Sequence, residues 1–197
     1  MDGSDAQQAL AKFADLADHL GSEASQLWGD AFALWKAARA RRLRPDRRAR
    51  FWRAAVVMAS AGFEGWTNYL AEKVMSTQRV SASRPSEFEL DCLHERQKRL
   101  RDGGVVEEEG RFSSKNQFLL LYRLLNGGQS LDPGIGRRLE SSLKLRDRLV
   151  HPKPGQPIDA LELERAYNGF LEADVALATA WVRANSERAL RPYLVKA

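Results

Sequence analysis

Ala54–Ala71, AAVVMASAGFEGWTNYLA, is the stretch whose reading decides the fold. It is the most apolar part of the chain, yet Glu64 and Asn68 stand within it and charged residues flank it on both sides. A membrane-spanning helix needs about 20 predominantly apolar residues, so this segment is read as the central helix of a soluble bundle. Apolar residues recur at helical spacing through Phe51, Ala55, Met58, Ala59, Phe63, Trp66 and Leu70. That pattern predicts one long helix from about Asp46 to Met75.

Working outward, Pro45 separates this helix from an earlier one, expected from a Ser22 cap through Trp28, Phe32 and Trp35 to about Leu43. A first helix is expected from about Asp5 to Leu20, stopped by Gly21. On the other side, polar Ser76–Arg84 predicts a loop. A helix from about Ser86 to Arg101 follows, stopped by Gly103 and Gly104, and Glu107–Gly110 reads as an acidic turn. Further helices are expected from Ser113 or Ser114 through Leu125, from about Gly136 to Val150, and from about Asp159 to Arg188. Gly127-Gly128 and Pro133-Gly134 punctuate them, and Arg191–Ala197 is expected to be a loose tail. Strand signals are almost absent. The predicted fold is an all-α, antiparallel helical bundle of about five to seven helices with short connections. Residues 1–45 are read as a helical extension ending in a basic elbow, 46–190 as the bundle, and 191–197 as the tail.

Composition agrees with a soluble globular protein: 197 residues, 44% hydrophobic and 29% charged. The single cysteine, Cys92, rules out a disulfide scaffold. The opening MDGSDAQQALAKFADLADHL has acids where an export signal needs positive charge, so the cytoplasm is the expected compartment. Net charge is +5, and it is concentrated. Lys36–Arg53, KAARARRLRPDRRARFWR, carries Arg39, Arg41, Arg42, Arg44, Arg47, Arg48, Arg50 and Arg53 against one acid, Asp46. Arginine suits bidentate contact with phosphate, which makes a polyanion (RNA, DNA or an anionic surface) the natural partner of this elbow. A solvated elbow in an arginine-rich chain is the other reading.

Several chemistries lack their residues. There is neither a G-x-x-x-x-G-K-S/T loop nor G-x-G-x-x-G, so the usual phosphate cradles of nucleotide hydrolysis and dinucleotide redox are missing. Cys92 and His94 sit two apart, on different faces of a helix, with no second pair of ligands. No metal and no cofactor are expected.

Leu143–Gly155, LKLRDRLVHPKPG, carries the functional information. Arg146 and Arg148 fall in the last turns of a helix, where cations meet the negative end of the helix dipole. Pro152 disfavours α conformation at His151. The imidazole is therefore expected at the helix end, able to swing back toward Arg146 one turn above. Dipole-compensating arginines and a helix-stop histidine are the plainer reading.

Arg146-Asp147-Arg148-Leu149-Val150-His151 resembles the signature of HEPN domains (higher eukaryotes and prokaryotes nucleotide-binding): an Arg, a polar residue, then a His after four to six intervening residues. The order of helices resembles that family over about Arg47 to Arg188. The resemblance implies a metal-independent endoribonuclease of the toxin or defence-effector kind, acting as a homodimer, with Arg146 and His151 catalytic. Asp147, Arg148 and Lys153 would be supporting residues, and an antitoxin or nucleotidyltransferase a possible partner. Lys153 stands where some family toxins carry a modifiable Tyr, so that mode of regulation is not expected here. Glu64, with Asn68 and Glu72 on one helical face, would hold Arg146 in place if that face meets the motif helix; otherwise it belongs to a solvated edge. The alternative function is a non-catalytic helical module that uses Lys36–Arg53 to bind nucleic acid or an acidic protein.

Overall fold

The computed structural model describes residues 23–40, 42–77, 86–93, 96–101, 104–109, 113–152 and 157–194. Within them the fold is an all-α helical bundle of six helices: α1 (Glu23–Ala38), α2 (Pro45–Thr77), α3 (Glu87–Leu93), α4 (Ser114–Leu125), α5 (Pro133–Val150) and α6 (Ala160–Leu194). One two-stranded hairpin, β1 (Arg96–Arg101) and β2 (Gly104–Glu109), lies between α3 and α4. No helix among the described residues is long and apolar enough to cross a membrane.

The chain divides into two compact units, Met1–Trp66 with Asp132–Val175, and Thr67–Leu131 with Ala176–Ala197. Helices α2 and α6 each contribute their first part to one unit and their last part to the other. The boundary expected at residue 45 falls inside the first unit. The reason is aromatic packing. Trp35 of α1 stacks on Tyr167 of α6 and meets Trp52 of α2 edge-on, and Trp28 meets Tyr167 edge-on. These contacts make α1 part of the core rather than an extension.

In the first unit α1, α2, α5 and α6 alternate in direction. Ala24 lies beside Gly65 and Trp28 beside Gly62, so α1 and α2 run antiparallel. Arg138 pairs with Glu172 and Arg148 with Glu162, so α5 and α6 do the same. Trp28, Phe63, Leu139, Leu163, Tyr167 and Phe170 fill the core, each at most 2% exposed. Burying a side chain of that size contributes roughly 1.5–3 kcal/mol. Two glycines permit this packing. A Cβ on Gly62 would fall 2.8 Å from Cδ1 of Trp28. One on Gly169 would collide with Oγ of Ser142 and stand 3.0 Å from the Arg138 carbonyl oxygen. Asp174 is fully buried beside this core; burial pushes its carboxyl well above the ordinary carboxylate range, and the Trp28 indole opposes that.

In the second unit Leu70, Val74, Leu93, Phe118, Leu121, Leu125 and Leu177 are buried. Ser86 and Glu89 cap α3 reciprocally: the Ser86 N–H donates to Oε2 of Glu89 at 2.8 Å, and the Glu89 N–H donates to Oγ of Ser86 at 3.2 Å. Arg123 of α4 pairs with the same carboxylate. Helix α4 starts on Ser113, whose hydroxyl accepts from the Asn116 N–H at 3.3 Å, and ends before Gly127 and Gly128, both at positive φ.

Three elements differ from the sequence expectation. The helix expected over Ser86–Arg101 stops at Leu93, and its second half is β1, antiparallel to β2 with Arg96 opposite Glu109 and Lys98 opposite Glu107. Arg, Gln, Lys and Leu are good helix formers. Their local preference yields to a partner strand; Glu107–Glu109 of the expected acidic turn belong to that strand, and Gly110 lies outside the described residues. Pro133 and Gly134, read as punctuation, begin α5: Asp132 is the N-cap, accepting from Gly134 and Ile135, and Pro133 occupies the first turn. The expected tail is helical to Leu194. The helix expected over Asp5–Leu20, and Arg41, His94 and Lys153, lie outside the described residues.

Candidate functional site

The C-terminal end of α5 gathers the motif residues. Arg146 is half-buried, at 26% exposure, and its Nη2 donates to Oε1 of Glu64 at 2.5 Å. Glu64 stands on α2, so the helical face carrying it does meet the motif helix. Asp147 is exposed; its Oδ1 lies 3.4 Å from Nε of Arg146, and its backbone carbonyl accepts the His151 N–H at 2.8 Å. Arg148 faces the other way: its Nη1 donates to Glu162 at 3.1 Å and its Nη2 to the Pro157 carbonyl at 3.4 Å. Consecutive basic positions on the helix are thus tied to two different helices, α2 and α6.

His151 is the C-cap of α5, with φ −120° and ψ 69°. Its imidazole is exposed and makes no hydrogen bond or ion pair among the described residues. The expected swing back toward Arg146 is not present. Five residues of helix separate positions by about 140° around the axis, and Glu64 holds the guanidinium toward α2. What the chain offers at this end is a braced guanidinium, an accessible imidazole one turn on, and two half-exposed apolar residues, Val150 at the end of α5 and Leu161 at the start of α6.

The basic elbow is laid out between α1 and α2. Arg42, Arg44, Arg47, Arg50 and Arg53 are exposed, and Arg48 is half-buried. Arg39 lies over the Trp35 ring at 4.7 Å and pairs with Glu164 at 3.7 Å. Its cation–π contact and ion pair give Arg39 a structural task. Arg42, Arg44, Arg47 and Arg50 have no carboxylate partner among the described residues.

A feature the sequence reading missed lies along α5 and α6. A groove of about 720 Å³ runs between them, lined by Arg137, Arg138, Lys144, Arg148 and Arg165 together with Glu162 and Glu172. The signal was the spacing of Arg137, Lys144 and Arg148 on one face of a helix, hidden because the partner helix that closes the groove begins 12 residues after Arg148. The sequence matches no family model, and no curated protein or solved structure matches the chain.

Proposed function

We propose that this protein is a metal-independent endoribonuclease of the HEPN type, a toxin or defence effector that acts as a homodimer. The observation that carries the reading is the end of α5, where Glu64 braces Arg146 and His151 stands exposed with no hydrogen bond or ion pair among the described residues. RNA can be cut by its own 2′-hydroxyl. A base removes that proton, the 2′-oxygen attacks phosphorus, and the 5′-oxygen departs with a proton from an acid. The products are a 2′,3′-cyclic phosphate and a 5′-hydroxyl. One His151 serves as base and the second, from the other copy, as acid. Arg146 stabilises the extra negative charge on the phosphorane through donors that Glu64 leaves unspent. Within one chain no hydrogen bond or ion pair joins Arg146 to His151, which supports a cleft shared by two copies. Half-exposed Val150, next to His151 in the chain, and half-exposed Leu161 in the first turn of α6 suit such a contact.

The test is cleavage of an end-labelled RNA with chelator present. His151→Ala should lower the rate about 100-fold or more while the fold is unchanged, since the side chain is exposed. Equal cleavage by the variant, or a 3′-phosphate-free product with a 5′-phosphate, would sink the reading.

A second reading rests on exposed Arg42, Arg44, Arg47 and Arg50, which have no carboxylate partner among the described residues: a non-catalytic module that holds nucleic acid or an acidic protein at the elbow. It expects binding that weakens steeply with salt and is indifferent to His151.

A further inference from the structure

We infer that the groove between α5 and α6 is the track for the phosphodiester backbone of a single-stranded RNA, leading to the end of α5; this rests on the endoribonuclease reading. Five cationic side chains and two carboxylates line the groove. Both carboxylates are occupied: Glu172 by Arg138 and Glu162 by Arg148. Lys144 reaches Glu140 at 2.7 Å. Arg137 and Arg165, one on each helix, are exposed and have no carboxylate partner among the described residues. Each therefore keeps its full donor fork for an anion.

The geometry fits a strand better than a single ion. Arg137, Lys144 and Arg148 lie on one stripe of α5, and 11 residues of helix span about 16 Å. The stripe ends three residues before His151. Arg138 and Arg148, fixed by their ion pairs, form charged walls, and Ser141 and Ser142 with Asn168 add neutral polar groups to the lining. A backbone held by Arg137 and Arg165 would run along α5 toward the motif. The elbow lies between α1 and α2 and shares no residue with this lining.

Binding is read by fluorescence anisotropy on a labelled single-stranded RNA of about ten nucleotides, with His151→Ala as parent so that the strand survives. Arg137→Ala/Arg165→Ala should weaken binding roughly tenfold and reduce the salt slope by about 1.4, two single-strand phosphate contacts. Lys73→Ala/Arg183→Ala, with the same charge change elsewhere, should leave the slope unchanged. Arg137→Lys/Arg165→Lys should recover most of the slope, and thermal melts check that all variants fold. An unchanged slope in the groove variant, equal losses in both alanine pairs, no measurable RNA binding by the parent, or loss of the slope only on neutralising Arg42 and Arg47 would overturn the inference. Cleavage that survives His151→Ala while groove dependence persists overturns the catalytic reading alone. Cleavage that requires His151 but ignores the groove overturns the groove alone.

Discussion

Glu64 and Arg146 are 82 residues apart in sequence and meet at 2.5 Å, each about a third exposed or less. The pair joins the middle of α2 to the last turns of α5. Neither partner is fully withdrawn from water, so its worth to stability is modest, about 1 kcal/mol. Its consequence is orientation. A guanidinium on a flexible stem is fixed at one place at the helix end. Glu64→Gln should therefore lower the rate of RNA cleavage about tenfold with little change in KM. A matching fall in thermal stability large enough to explain the lost rate, or no change in rate at all, would remove the positioning role.

How much of this site the sequence disclosed depends on range. Pro45 and Gly127 act through their own backbone and Ser113 through its hydroxyl on the turn that follows, and the starts of α2 and α4 and the end of α4 follow from them. Glu64 could be placed on a helical face with Asn68 and Glu72, but whether that face met α5 needed the packing of two helices. The hairpin was illegible for a related reason: β1 consists of residues that favour a helix until β2 lies beside them. His151 was legible as a helix end because Pro152 acts on its neighbour. Its separation from Arg146 was not, since that follows from where Glu64 stands.

The reciprocal Ser86–Glu89 cap makes Glu89 the stabilising centre of a seven-residue helix. Hydrogen bonds from Ser86, backbone first and then hydroxyl, hold its carboxyl below the ordinary range, with Arg123 adding to the effect. A lowered folded-state value means stability present above the ordinary carboxyl range and lost as pH falls through the folded value. Glu89→Gln should cost about 1 kcal/mol at pH 7 and should reduce the acid sensitivity of the second unit, followed by hydrogen exchange in α3. Unaltered exchange there would show that the cap is dispensable.

At Gly169 and Ser142, α5 and α6 approach too closely for a side chain on α6. A methyl group at Gly169 must displace the Ser142 hydroxyl and press on the Arg138 carbonyl. Gly169→Ala should destabilise by roughly 1–3 kcal/mol. Ser142→Ala in the same chain should recover part of that loss, because it clears the hydroxyl but not the backbone. Urea denaturation of the two single variants and the double variant measures the coupling. Additive losses would mean that the helices shift apart without regard to Ser142, and the groove they line would then be deformable.

Asp174 titrates against the fold. Its oxygens are buried without a hydrogen bond of ordinary geometry among the described residues, and burial raises its carboxyl well above the usual 3.8, with the Trp28 indole as the opposing influence. The folded state binds this proton more tightly than the unfolded chain does. The associated stability is fully present below about pH 4 and is lost as pH rises toward and through the folded-state value. Asp174→Asn keeps the size of the side chain and removes the proton. It should be more stable than the parent at pH 7 by at least about 1 kcal/mol, with the advantage shrinking steadily as the pH is lowered to 4. Urea midpoints of both proteins at several pH values decide the matter. Parallel profiles would mean that the Asp174 carboxyl has found a partner or a path to water, and that the aromatic cluster around Trp28 is looser than its packing implies.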